Sequence, residues 1–371
     1  MDYMEQALSL AKLASGRVSP NPAVGALIVN GDEVVGQGYT QPPGSHHAEI
    51  VALNQAGEQA QGSRMYVTLE PCCHYGRTPP CTQAIIAAGV AEVHLAVLDD
   101  NPLVCGRGKN ALEREGIKVY LGEQEEAARE INEAYTKFVT EGIPFVTAKY
   151  AISLDGKIAT RSGDSKWISG EEAKKCVHNL RYITDAIMVG VDTVLVDDPL
   201  LTARCCGGKG ETARKQPLRV IVDSKGRTPA TARLFSEPGE ILMARSTTAV
   251  SETKDALAQV DAEFLALPAA DGSVDLKKLL KTLGKREITS VLVEGGEALL
   301  GSLFDKGLVD KVIAFIAPMI IGGKEAKTAV GGKGVGKVAD SLRLERVSME
   351  ELGDDVMISG YVGEQGCLPV S

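Results

Sequence analysis

Basic charge, aromatic side chains and long apolar runs are all scarce in this chain. Lys and Arg total 40 against 49 Asp and Glu, a formal net charge of −9. A protein that grips nucleic acid needs a basic stripe to neutralise phosphates, and this balance argues against one. Aromatic residues make up 4% of the chain and Trp occurs once, while apolar residues reach 44% and charged ones 24%, the composition of a soluble globular protein. No apolar run approaches the roughly 20 residues that a membrane-crossing helix needs. Asp2 and Glu5 stand where a signal peptide carries basic residues, so a cytosolic protein is expected. Thiols stay reduced there, so the eight Cys are not read as a disulfide framework. Internal repeats are also lacking, and 371 residues suit two domains of ordinary size.

The few His and Cys are concentrated. Three of the five His (His46, His47, His74) and three of the eight Cys (Cys72, Cys73, Cys81) fall between positions 46 and 81. Two thiolates and one imidazole leave the fourth tetrahedral position of zinc open for water, which the metal turns into a nucleophile near neutral pH. A carboxylate two residues after the His ligand reaches that water without binding the metal, so it can shuttle protons. His-x-Glu followed by Pro-Cys and a second Cys is the zinc-deaminase signature. On this reading His47, Cys72 and Cys81 are the ligands and Glu49 the proton carrier. A structural zinc knot, with Cys73 or His74 as fourth ligand, and a group of buried thiols remain open. His46 and His74 are read as lining or substrate contacts.

Eight residues separate Cys72 from Cys81, where deaminases of nucleosides and of bases in nucleic acid have two. The insert carries Arg77, Thr78, Pro79 and Pro80. An Arg on a proline-bounded loop beside a metal site suggests an anionic group on the substrate, most simply a phosphate.

Glu70 to Cys81, with His47-Ala48-Glu49, Asn21-Pro22-Ala23-Val24-Gly25 and Asp100-Asn101-Pro102-Leu103-Val104, resembles the deaminase half of the bifunctional riboflavin-biosynthesis deaminase/reductase family. The resemblance continues through Lys149 with Ser153 to Lys157, Ser165 to Ser169, Gly190 to Arg204, Val222-Asp223-Ser224 and Val293 to Gly296, which match the reductase half. It implies a cytidine-deaminase-like three-layer α/β/α domain at 1–143 and a dihydrofolate-reductase-like α/β domain at 144–371. It also implies one zinc ion, NADPH as hydride donor, and two reactions. A diaminopyrimidinone bearing a ribosylamino phosphate is deaminated, and its ribosyl group is then reduced to ribityl.

Carried over motif by motif, Asn21 and Asn101 orient the pyrimidine and Arg77 holds the phosphate. NADPH contacts fall on Ala151, Trp167, Thr193, Asp197, Ser224 and the run Gly296, Glu297, Ala298, Leu299, Leu300, Gly301 and Ser302. Further substrate contacts fall on Ser165, Arg181, Leu201, Arg204 and Glu294. Arg181 and Arg204 suit a sugar phosphate and Trp167 suits stacking on a ring, although a surface ion-pair Arg and a core Trp read equally well from the residues alone. Two departures stand out: Thr40 occupies a place where many relatives have His, and Asp100 replaces a common Pro. The expected partners are a small pyrimidine ribosyl phosphate and further copies of the same chain, with no nucleic acid and no membrane. A nucleoside or tRNA deaminase with an unrelated appendage, and a non-catalytic zinc module that senses NADPH, are the competing readings.

The pattern predicts alternating helices and strands in both halves. Each zinc ligand is expected at or just before a helix start, and Glu123 to Thr140 reads as one charged helix. Asp192-Thr193 reads as the cap of a short turn, and a helix is expected near Glu252 to Leu257. Strand–Glu294-Gly295-Gly296–helix is a place where backbone N–H groups can receive a phosphate. Gly331 to Lys337 imitates a P-loop, but Val338 stands where Ser or Thr is required, so it reads as a glycine-rich loop.

Overall fold

The computed structural model describes residues 2–76, 79–165, 168–204, 216–246 and 260–363. They form two compact units, Met1–Gly142 and Ile143–Ser371.

In the first unit α1 (Tyr3–Ala14) precedes the hairpin β1 (Gly25–Asn30) and β2 (Glu33–Tyr39), followed by α2 (Ala48–Ala56) and β3 (Arg64–Val67). Then come α3 (Cys81–Ala87), β4 (Glu92–Leu95), α4 (Arg107–Arg114), β5 (Lys118–Leu121), α5 (Glu125–Ile131) and α6 (Glu133–Glu141). The sheet order is β2-β1-β3-β4-β5, with the first two pairings antiparallel and the others parallel.

Glycines set how closely helices approach this sheet. A Cβ on Gly25 would lie 1.9 Å from the Ala7 carbonyl oxygen of α1, and one on Gly36 or Gly38 would lie 2.3 or 2.4 Å from the Ala52 or Ala48 carbonyl oxygen of α2. Ala26 pairs with Gly38 and Ile28 with Gly36. Side chains alternate along β1, so Gly25 and Ala26 face opposite sides and the two helices sandwich the sheet. The alanine stripe Ala48, Ala52, Ala56 is buried against the glycines of β2. That contact fixes the start of α2.

One expected helix is two. Asn132, with φ −109° and ψ 16°, separates α5 from α6. Its side chain accepts from the Ala23 N–H at 2.8 Å and donates to the Ala23 carbonyl at 3.0 Å. A partner 109 residues earlier thus overrides the local helical pattern. Asp100 accepts from Arg129 at 3.4 Å and from Thr136 at 3.3 Å, a tie to both helices that a proline could not make.

The second unit is a nine-stranded sheet in the order β10-β9-β8-β7-β11-β6-β12-β14-β13. Its strands are β6 (Phe145–Ser153), β7 (Ala186–Gly190), β8 (Leu218–Val222), β9 (Ile241–Arg245) and β10 (Glu263–Ala266), then β11 (Ser290–Val293), β12 (Lys311–Ala317), β13 (Leu344–Leu352) and β14 (Asp355–Val362). All pairings from β10 to β12 are parallel, and β14 and β13 add an antiparallel edge. The α-helices described in this unit are α7 (Glu171–Ile183), α8 (Val191–Asp197), α9 (Leu276–Lys285) and α10 (Glu297–Asp305). The central parallel strands are nearly continuous apolar runs buried on both faces, as crossover connections require. Val191 to Asp197, expected as a turn, is α8. Three valines and a threonine give it a poor helical pattern. The helix expected near Glu252 to Leu257 lies outside the described residues.

Candidate functional site

In the first unit two of the three sulfur and nitrogen donors come from helix starts. His47 is the N-cap of α2 and Cys81 is the first residue of α3. Cys72 is not at a helix start, as had been expected, but in the irregular run after β3. The His47 Nδ1 lies 3.6 Å from the Cys72 Sγ and 3.3 Å from the Cys81 Sγ, and all three donor atoms fall within 4.8 Å of one another. With Zn–S near 2.3 Å and Zn–N near 2.0–2.1 Å, two donors on one tetrahedral zinc stand about 3.6 Å apart. The donor set therefore fits zinc in kind and spacing.

The Cys81 N–H donates to the Cys72 Sγ at 3.3 Å. A hydrogen bond from Cys81, opposed by burial and helped by His47, holds the Cys72 thiol well down, and the same bond pushes the Cys81 thiol up. Glu49, in the first turn of α2, is 4% exposed. Burial first, and then the Cys72 thiolate, push its carboxyl up to about 7.

Glu70 was visible in the sequence only as the start of a motif. Its carboxylate, 3% exposed, accepts from the backbone N–H groups of Asp99 at 3.2 Å, Gly106 at 2.8 Å and Lys109 at 2.9 Å. It ties the chain two residues before Cys72 to the start of α4. Gly108 permits the contact: a Cβ there would sit 2.2 Å from the Pro71 carbonyl oxygen.

Asn101 follows Asp99 in the same loop and is partly engaged: its Oδ1 accepts from the Leu103 N–H at 3.0 Å and its Nδ2 donates to the Tyr135 hydroxyl at 3.4 Å. Asn21 lies in the turn closed by its own N–H to the Val18 carbonyl at 2.8 Å. Thr40 is 3% exposed and its hydroxyl accepts from the Val24 N–H at 3.0 Å. It is a structural tie within the first unit. The Nδ1 of His74 is buried without a hydrogen-bond partner, while His46 is exposed. Arg77 lies outside the described residues.

In the second unit a cavity of about 500 Å³ opens at the carboxyl ends of β6, β7 and β11, where parallel sheets take their ligands. Ala151, Thr193, Asp197 and the run Gly296 to Leu299 line it, together with Ser165, Arg181, Leu201 and Glu294. Ser165 donates to Asp197 at 2.5 Å. Leu201 holds a left-handed φ of 55° while 2% exposed, a strained conformation for a bulky residue.

Arg181 is committed within the protein. Its Nε and Nη2 donate to the two oxygens of Glu294 at 2.5 and 3.0 Å, and its Nη1 donates to the Thr202 carbonyl at 3.2 Å. Lys149 adds a 3.4 Å bond to Glu294. Burial pushes the Glu294 carboxyl up, but Arg181 and Lys149 outweigh it and hold the group at about 2. Sequence reading placed Lys149 in a motif without assigning it a role. It also lines the cavity.

Other expected contacts fall elsewhere. Leu300 and Gly301 are buried in the helix packing, where a Cβ on Gly301 would meet the Gly331 carbonyl carbon at 2.3 Å. The Ser302 hydroxyl donates to the Ala298 carbonyl at 2.9 Å. Ser224 accepts from the Val274 N–H at 3.2 Å, and neither serine lines the cavity. Arg204 is exposed, its N–H directed to the His178 Nδ1 at 3.3 Å. Trp167 lies outside the described residues. Gly331 to Lys337 forms no regular element; its Gly331 N–H bonds the Glu297 carbonyl at 3.0 Å.

Comparison with known proteins identifies both units. Residues 1–97 match the family model of the cytidine and deoxycytidylate deaminase zinc-binding region, and residues 144–358 match that of the RibD C-terminal domain. The riboflavin biosynthesis protein RibD of Aquifex aeolicus is 42% identical over 359 residues, covering 96% of this chain and 97% of that protein. Its counterpart in Actinobacillus pleuropneumoniae is 40% identical over 368 residues, covering 98% and 95%. The solved structure of Acinetobacter baumannii RibD superposes with a TM-score of 0.86 at 38% identity, covering 98% of each chain. A diaminohydroxyphosphoribosylaminopyrimidine deaminase/5-amino-6-(5-phosphoribosylamino)uracil reductase from Thermotoga maritima superposes with a TM-score of 0.83 at 33% identity, covering 97% of this chain and 98% of that one. No helix among the described residues is long and apolar enough to cross a membrane. A zinc-type deaminase unit followed by a reductase unit, matched end to end at this identity, means that the chain belongs to the bifunctional deaminase/reductase family of riboflavin biosynthesis.

Proposed function

We propose that the first unit hydrolytically deaminates 2,5-diamino-6-(5-phosphoribosylamino)pyrimidin-4(3H)-one, with His47, Cys72 and Cys81 holding zinc and Glu49 moving the protons. When bound, zinc supplies a nucleophilic hydroxide near neutral pH. Glu49 is held in the first turn of α2, beside the donor triad and shielded from bulk water. It takes a proton from the attacking water and delivers it to the departing amine, so that ammonia leaves and a carbonyl remains at C2. Asn21 and Asn101 orient the ring, and Arg77 takes the phosphate. The observation that carries this reading is the convergence of one nitrogen and two sulfurs, 3.6 and 3.3 Å apart, next to a buried glutamate.

In the second unit, NADPH held in this cavity would supply the hydride that reduces the ribosyl group of the deaminated product to ribityl, giving 5-amino-6-(5-phosphoribitylamino)uracil. The N–H groups at the start of α10, after Gly295 and Gly296, suit the cofactor's phosphates, and the cavity lining of Thr193 and Asp197 suits its sugar hydroxyls. Lys149, 3.4 Å from Glu294, is one of the cations lining the cavity, with Lys174 and Lys327, and its place beside Glu294 suits it to protonate the ring oxygen as the sugar opens. Arg181 fixes Glu294 within the cavity lining. The enzyme would work in the cytosol on this diffusible phosphate ester and associate with copies of itself; light scattering on the purified protein measures the association.

Ammonia release and NADPH oxidation test the halves separately. Glu49→Gln abolishes ammonia release from the diaminopyrimidine, while NADPH oxidation with the deaminated substrate continues. Loss of both activities would overturn the assignment of two independent sites.

A further inference from the structure

Among the described residues, three charged side chains of the second unit are buried with hydrogen-bonding atoms left over. Arg219 lacks a partner only at Nε, its other nitrogens donating to the carbonyls of Leu234, Glu237 and Gly239, whereas Arg245 and Asp223 are less completely bonded. Arg245, the last residue of β9, is 8% exposed, and neither its Nε nor its Nη2 has a hydrogen-bond partner. Its guanidinium carbon lies 4.3 Å from the ring centroid of Phe264. Asp223, directly after β8, is fully buried. Its Oδ2 accepts from the N–H and hydroxyl of Thr228 at 2.8 and 2.7 Å, and its Oδ1 has no partner. A buried donor left without an acceptor is costly, because its hydration has been given up for nothing. A guanidinium kept in that condition points to an anion as its missing partner.

Position in the sheet says which anion. Gly190 pairs with Val222 and Val222 with Ala244. The next residues, Val191, Asp223 and Arg245, therefore leave three adjacent parallel strands at one edge. Strands lie about 4.8 Å apart, so Arg245 is roughly 10 Å along that edge from the end of β7 and roughly 15 Å from the end of β11. Glu294 and Gly296 at the end of β11, and Thr193 after β7, line the cavity. A dinucleotide with its nicotinamide near Glu294, laid along the edge, brings its adenosine end past Ser224 to Arg245. That path also gives Ser224, which lies off the cavity, a place in the cofactor site.

We propose that Arg245 binds the 2′-phosphate on the adenosine ribose of NADPH, with the free oxygen of Asp223 accepting from a ribose hydroxyl, and so selects NADPH over NADH. The inference rests on the reading of the second unit as an NADPH site. Burial lowers the Arg245 pKa and Asp223 opposes this; the guanidinium stays cationic at any working pH.

The test is equilibrium binding to the full chain, read by nicotinamide fluorescence, with adenosine 2′,5′-bisphosphate and AMP as competitors. Arg245→Met keeps an apolar stem over Phe264 and removes the charge. It should weaken NADPH about thirtyfold or more and abolish the advantage of the bisphosphate over AMP, leaving NADH unchanged. Arg245→Lys should fall between. The cofactor-free Arg245→Met protein should melt no lower than the parent, because a buried guanidinium whose Nε and Nη2 lack acceptors has been removed. Equal weakening of NADPH and NADH, no weakening, or a lower melting temperature with NADPH binding intact would overturn the role of Arg245. A parent protein that binds neither NADPH nor the bisphosphate would instead overturn the NADPH reading itself.

Discussion

Glu70→Gln should loosen the metal site without touching a donor atom. The parent carboxylate accepts three backbone N–H groups, two on Oε2 and one on Oε1. A glutamine has one acceptor oxygen. In its better orientation it keeps the Asp99 and Gly106 bonds and turns its own NH₂ on the Lys109 N–H, whose present distance to Oε1 is 2.9 Å. One charge-assisted bond is lost and two donors face each other, a cost of about 2–4 kcal/mol. Cys72 is two residues away on the same run, so zinc affinity should fall roughly 10- to 100-fold, as when other partners that orient metal ligands are removed. Competition with a chromophoric chelator measures the affinity, and NADPH binding is the control that should not move. Gly108→Ala, which pushes a Cβ into the Pro71 carbonyl, should act in the same direction. If Glu70→Gln holds zinc and unfolds like the parent, the three-bond clamp does not position Cys72.

Stripping zinc with a chelator should end ammonia release while leaving NADPH oxidation with the deaminated substrate, and added zinc should restore the first activity. Gly38→Ala places a Cβ 2.4 Å from the Ala48 carbonyl oxygen, so it should displace α2 with His47 and Glu49 and lower both zinc content and melting temperature. Glu294 makes the second unit acid-sensitive. Its carboxyl lies at about 2 against an ordinary 4.5. The stabilisation is therefore complete above about pH 4.5 and drains away as pH falls towards 2, about 3 kcal/mol over the whole window. Denaturant titrations at pH 5 and pH 3 should show a smaller acid loss in Glu294→Gln; an equal loss would mean that the Arg181–Glu294–Lys149 group does not set it.

The metal site was legible because its parts are chemically rare and close in sequence: His47, Glu49, Cys72 and Cys81 span 35 positions. The alternation of apolar runs with helical stretches likewise showed both α/β units, since buried parallel strands need little else. What stayed hidden depends on partners far along the chain. Asn132 breaks a helix because of Ala23, and Glu70 reads as an ordinary motif residue until Asp99, Gly106 and Lys109 are folded around it. The pairing of Arg181 with Glu294 could not be read from the sequence, because the carboxylate is 113 residues later. The idle donors of Arg245 exist only once β8, β9 and β10 lie side by side.

The two hydrogen bonds between Asn132 and Ala23 also bear on how the first unit comes together. Contacts between distant positions must first overcome the entropy of closing the intervening chain. The turn that presents Asn21 therefore gains its clasp only after nearly the whole unit has been assembled. A deaminase fragment cut before Asn132 would lose that clasp, and separate expression should start from a chain that runs through Gly142.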